Sequence, residues 1–149
     1  MVSHLQKAYE KDFYAWTFHN AELLRQGKFS EIDINNVAEE LESMGKKDKR
    51  ELMRRLAVLL AHLLKLRFQS ARAGNSWKYT IKEQRRMLKK LLKESPSLKH
   101  EIELKVDEAY EDAVIIAAGE TGLYETSFPE QCPFDLKECL DEEFFPEAL

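Results

Sequence analysis

The run Leu59-Leu60-Ala61-His62-Leu63-Leu64-Lys65 decides how the rest of the chain is read. Around it, Leu52, Leu56, Leu59, Leu60, Leu63 and Leu66 recur at three- and four-residue intervals, which places them on one face of a helix. On a wheel of 100° per residue, His62 falls about 110° from the centre of that face. The leucines therefore specify the buried stripe, and the histidine stands at its edge, in line with Arg55 and Gln69. A helix so apolar on one side must be covered by other helices or a sheet. The spacing predicts this central helix over 47–71.

Its neighbours follow from the same periodicity. Gly74-Asn75-Ser76 makes a turn, and Trp77, Ile81, Leu88, Leu91 and Leu92 form the face of a helix over 77–94, so that the two make an antiparallel hairpin. Upstream, Tyr9, Phe13, Trp16, Asn20, Leu23 and Leu24 outline a helix over 5–26 that ends at Gly27, with Asn20 a polar intruder on its face. Asp33 reads as the N-cap of a helix over 33–44 carrying Ile34, Val37, Ala38, Leu41 and Met44, which Gly45 ends or bends. Ser95-Pro96 starts a helix over 96–120 whose alanines at 109, 113 and 117 permit close approach of another helix. From Ser127 the chain is punctuated by Pro129, Pro133 and Pro146, with a short helix at 135–140 where Asp135 and Glu138 have capping-box spacing. No β alternation is present. The expected fold is all-α: a single domain over 1–149, a bundle of about five main helices with a Pro-rich carboxy-terminal tail packed on it through Phe128, Phe134, Phe144 and Phe145. Its expected core includes Phe13, Trp16, Leu41, Leu56, Leu59, Leu63, Trp77, Ile81, Leu88, Ile102 and Ile116.

Composition narrows the setting. Five glycines and four prolines in 149 residues leave few places for breaks, which favours long helices. The two cysteines, Cys132 and Cys139, have neither redox nor zinc-pair spacing, so a reduced, cytoplasmic environment is expected. The longest unbroken apolar run, Leu56 to Ala61, is far short of the roughly 20 residues that span a bilayer, and Met1 to Glu10 lacks the core of a signal peptide. The net charge of −4 conceals two opposed halves. From Lys46 to Lys93 there are sixteen Lys or Arg against three acids, a net +13, while the remainder has seven bases and twenty-four acids, a net −17. Such a block meets an acidic partner or the acidic part of its own chain.

Several short pieces occur in an order that resembles a known family. They are Asp12 with Trp16, Ala38-Glu39-Glu40-Leu41-Glu42, Leu59-Leu60-Ala61-His62-Leu63-Leu64-Lys65, Ser76-Trp77, Gln84-Arg85, Ser95-Pro96-Ser97-Leu98, Glu120-Thr121-Gly122-Leu123, and Phe128-Pro129 with Cys132-Pro133. Together they are similar to the bacterial "domain of unknown function" family number twenty-nine, known largely from cyanobacteria. The resemblance covers about Tyr9 to Pro146 and implies an all-helical domain. It brings no activity, cofactor or catalytic residue, and Leu66 stands where the family more often has tryptophan.

The polar residues give three candidate sites. His62 starts near physiological pKa and suits a metal ligand or a general base, or a ring satisfied by a nearby carbonyl at a helix seam. No His is preceded three positions back by Glu and no His-Glu-x-x-His occurs, so neither a metal site nor a cofactor is expected. Arg85, beside Gln84 on an apolar face, must find a partner, and Glu40 or Glu42 are the expected ones. As a structural set these residues fix helix register; as a functional set, Glu40 or Glu42 with His62, Gln84 and Arg85 would form a hydrolase or nuclease cleft. The third candidate is a phosphate-contacting surface of Lys46, Lys47, Arg50, Arg54, Arg86, Lys89 and Lys90, unless the acidic helices neutralise it. With no catalytic signature, the leading expectation is a non-enzymatic interaction protein that binds a protein partner through a helical face. Nucleic-acid binding comes second, and no membrane association is expected.

Overall fold

A computed structural model describes residues 4–149, all of whose regular elements are helices. They are α1 (His4–Lys11), α2 (Phe13–Arg25), α3 (Ile34–Phe68), α4 (Asn75–Glu94), α5 (Leu98–Leu104), α6 (Val106–Thr121) and α7 (Leu136–Leu140), with single 3-10 turns between some of them. Among the described residues no helix is long and apolar enough to cross a membrane. The chain divides into two compact units, 1–47 and 48–149, and α3 runs through the boundary.

Three expected boundaries change. The helix expected over 5–26 is broken at Asp12, whose carboxylate accepts the Ala15 N–H at 3.1 Å and restarts the helix as its N-cap. The helix expected over 96–120 is broken at Lys105, whose φ of −118° and ψ of 14° leave the helical region without a Pro or Gly to mark the place. Conversely, Gly45 neither ends nor bends a helix, since 33–44 and 47–71 are parts of the single α3. One interior glycine costs only about 1 kcal/mol relative to alanine, and the good helix formers around it carry the helix through. A true stop occurs at Gly122, which takes the left-handed conformation (φ 78°) as the C-cap of α6. The short carboxy-terminal helix forms as expected, with both halves of the Asp135/Glu138 capping box made.

In the second unit the leucine face of α3 is the centre of the core. Leu52, Leu56, Leu59, Leu60, Leu63 and Leu64 are buried with Ile81 and Leu88 of α4, Ile102 of α5, and Ala109, Ala113 and Ala117 of α6. Phe128, Phe134 and Cys139 bring the carboxy-terminal segment into the same cluster. Arg55 reaches Gln84 and Lys65 lies over Trp77, so α3 and α4 run antiparallel. Lys49 pairs with Glu101 and Lys65 with Glu120, so α5 and α6 return alongside α3 in its own direction.

The first unit is built differently. Its buried residues are Trp16, Leu23 and Ile32 together with Asn20, Asp33 and Asn36. Two residues expected in the core are outside it, with Phe13 47% and Leu41 63% exposed. Phe13 stacks on Trp16 and meets the edge of Tyr9, leaving its other side open. Leu41 lies about 100° around α3 from the side that carries Asp33, Asn36 and Glu40, and this polar side is the one turned inward.

Candidate functional site

His62, the residue first suspected, is a buried member of a seam in the second unit. Its Nδ1 lies 2.9 Å from the Val58 carbonyl oxygen one turn back. A carbonyl only accepts, so Nδ1 carries the proton and donates it. Burial, and to a lesser degree the nearby Lys65 cation, hold His62 below its ordinary pKa of 6.5. The ring is therefore neutral at physiological pH. One turn further along α3, Lys65 is drawn in with it, only 5% exposed. Its ammonium donates to Glu120 Oε2 at 2.7 Å and sits 4.5 Å from the centre of the Trp77 ring. This cation has both a carboxylate and an aromatic ring for neighbours. Thr121 beside it donates to Ala117 O and accepts from the Leu123 N–H. Lys65 and Glu120 are 55 residues apart in sequence, and nothing in the local pattern pairs them.

Arg85 is the largest of the fully buried side chains, at 1% exposure. Its partners are not the acids expected from the sequence. Nε donates to Cys139 O at 2.7 Å and Nη2 to Glu138 O at 3.3 Å, the last carbonyls of α7. Nη1 has no hydrogen-bond partner among the described residues. Burial lowers the Arg85 pKa from its ordinary value, but a guanidinium stays charged in proteins. Gln84 accepts from Arg55 at 3.3 Å. Glu40 and Glu42 belong to the first unit, where Glu40 accepts a short hydrogen bond from the Tyr9 hydroxyl and Glu42 is exposed.

Of the expected phosphate-contacting residues, Lys46, Lys47, Arg50, Arg54, Arg86, Lys89 and Lys90 are all exposed. Lys89 pairs with Glu142 at 3.3 Å; the other six make no ion pair among the described residues. Neither cysteine is primed as a nucleophile. Burial pushes the Cys139 thiol up to about 12 and also raises that of Cys132, whose Sγ donates to Phe134 O. Among the described residues no three His, Cys, Asp or Glu side chains gather as a metal set.

The first unit holds a second polar constellation, of which only Asn20 stood out in the sequence. The Asp33 carboxylate is buried and its Oδ2 accepts from Trp16 Nε1 at 2.8 Å and from Asn36 Nδ2 at 2.9 Å. Asn20 donates to Trp16 O and accepts from the Asp33 N–H at 2.9 Å, and Asn36 also donates to Gln6. Asp33 does stand at the start of α3, its carbonyl accepting from Val37. Its side chain, however, ties α2 to α3 instead of capping. Chemically this network is a set of satisfied donors and acceptors that holds two helices at one angle, with no spare nucleophile.

On the outer sides of the same helices lies an apolar surface. Along α3, Ile34, Leu41 and Met44 are exposed in register with Ala38 and Gly45, and along α2 Tyr14 and Phe18 are exposed with their rings 4.9 Å apart. Scattered apolar side chains are ordinary on a protein surface, whereas these share one helical register.

No curated protein and no solved structure matches this chain. The family model "Domain of unknown function DUF29" does match, over residues 8–145. That span includes Trp16, Asp33, His62, Lys65, Trp77, Arg85 and Glu120, and the chain belongs to this family.

Proposed function

We propose that this chain is a non-enzymatic, cytoplasmic interaction protein whose amino-terminal unit binds an amphipathic helix of a protein partner. The observation that carries the reading is the α3 stripe of Ile34, Ala38, Leu41 and Met44, an apolar face three turns long and open to solvent. Helix-in-groove recognition uses anchors at such spacings, and the small residues Ala38 and Gly45 let a second helix come close. The hydrogen-bonded side of α3 fixes how the stripe is presented. A hydrolase built on Glu40 or Glu42, His62 and Arg85 has less support, because His62 and Arg85 are each committed to main-chain carbonyls. The test is site-specific photocrosslinking in the native cell. A photoreactive residue at position 41 is expected to give a discrete partner adduct that Ile34→Asp removes, while one at exposed position 39 gives none. Equal adducts from both positions, or none from 41, would sink the proposal.

One observation favours a second reading, nucleic-acid binding: six of the seven exposed cations named above are free of ion pairs among the described residues. Such binding would weaken steeply with salt. Failure to retain DNA or RNA at low ionic strength would end it.

A further inference from the structure

Helix α4 carries Lys78, Lys82 and Arg85 at intervals of four and three, a spacing that aligns them on one face. That face forms one wall of a cavity of about 440 Å³, and Glu142, Glu143 and Phe145 of the carboxy-terminal segment contribute to the other. The volume falls in the range of small-molecule sites, roughly 300–1,000 Å³. At the cavity wall is Arg85, a buried guanidinium whose bonded partners are neutral carbonyls and whose Nη1 has no partner among the described residues. A charge so placed is costly unless a counter-ion is supplied.

The surrounding charges define that counter-ion. Lys78, Lys82 and Arg85 line the cavity with Glu142 and Glu143; just outside the lining, Lys89 is tied to Glu142, and the Asp141 carboxylate also acts on Arg85. One positive charge is left over, whether the lining alone or its charged neighbours too are counted. Three cationic donor groups line the cavity, and a phosphate monoester offers three strong acceptor oxygens where a carboxylate offers two. The rim is aromatic. Tyr79 lines the cavity, and the Phe145 ring centre lies 5.4 Å from Arg85 Cζ and 5.8 Å from Lys78 Nζ. An organic group attached to the phosphate would lie against these rings.

We propose that this cavity binds the phosphate of a small organic phosphate monoester, with Arg85 Nη1 and Lys82 on its oxygens and Tyr79 and Phe145 flanking the organic part. The site lies entirely within the second unit and stands or falls independently of protein binding by the first. None of the residues expected from sequence to contact phosphate lines it.

Titration calorimetry on the full chain tests the proposal, with inorganic phosphate, adenosine monophosphate and benzoate as probes. The expected result is saturable binding of the two phosphate probes, weakened about tenfold or more in the double variant Lys78→Gln/Lys82→Gln, a loss of about 1.4 kcal/mol or more. Both lysines are exposed, so this variant should fold, and circular dichroism checks that it does. Lys99→Gln, an exposed change outside the cavity, should bind like the parent chain. Three results would overturn the assignment: no saturable binding of either phosphate probe, undiminished binding in the double variant, or benzoate binding as tightly as the monophosphate.

Discussion

Leu52, Leu56, Leu59, Leu60 and Leu63 fill the interior of the second unit, whereas the first buries Asn20, Asp33 and Asn36 beside Trp16, Leu23 and Ile32. The second unit draws its stability from apolar area, which is non-directional and tolerates sideways adjustment. The first, with at most 47 residues, has little apolar interior to draw on and fixes its helices with directed hydrogen bonds. Those bonds are sensitive to the loss of any one partner, because a buried donor left alone bears its full desolvation cost. The same arrangement leaves Phe13, Phe18, Ile34, Leu41 and Met44 exposed. A polar interior and an apolar exterior in one unit are two aspects of one design.

The contrast can be broken at its strongest point first. Leu63→Ala, in the filled core, should cost about 2–5 kcal/mol in chemical denaturation, and an unmoved midpoint would mean the leucine face is misassigned. Asp33→Ala removes no apolar area but strands the Trp16 indole N–H and takes one of the two acceptors of the Asn36 amide. A loss of about 1–3 kcal/mol is expected, read as faster hydrogen exchange of the α2 amides. If Asp33→Leu proved as stable as the parent chain, the network would be dispensable.

His62 sharpens the comparison through pH. Its folded pKa is depressed below 6.5, so the unfolded chain takes up a proton that the folded chain refuses. The neutral ring therefore costs nothing above the unfolded value, and stability falls as the pH drops below about 6.5. His62→Gln should flatten that part of the acid limb in urea titrations at stepped pH, and an unchanged limb would place the proton elsewhere. The smallest effect belongs to the exposed stripe. Leu41→Glu should leave the unfolding free energy within about 0.5 kcal/mol of the parent while abolishing the crosslink. A large destabilisation would show that Leu41 is covered.

The helices of the second unit were legible because six leucines repeat over many turns, and no alternative period fits them. The join at Gly45 was not, since a lone glycine marks both a stop and a tolerated interior position. The break at Asp12 was hidden because an aspartate signals a cap only where the next turn uses it. Phe13 and Leu41 show a different limit. Periodicity finds an apolar face, but it does not say whether anything lies over it. Among the site residues, Asn20 was visible as a polar residue in an apolar stripe, while Asp33 had an adequate local explanation as a cap that concealed its tie to Trp16. Lys65 and Glu120 could not be paired at all, because their meeting depends on α6 returning beside α3.

Arg85 has a consequence for the order in which the molecule assembles. Helix α7 has five residues, well under the roughly 12–15 at which a helix is even marginal in water. Its last carbonyls are held by a guanidinium more than fifty residues earlier in the chain. Closing so long a loop contributes late to folding, so α7 should form only after α4 is docked, when most of the barrier has been crossed. Arg85→Lys would then quicken unfolding while leaving the refolding rate nearly unchanged. The carboxy-terminal segment would act as a latch that sets how long the folded state lasts, with little influence on how quickly it is reached.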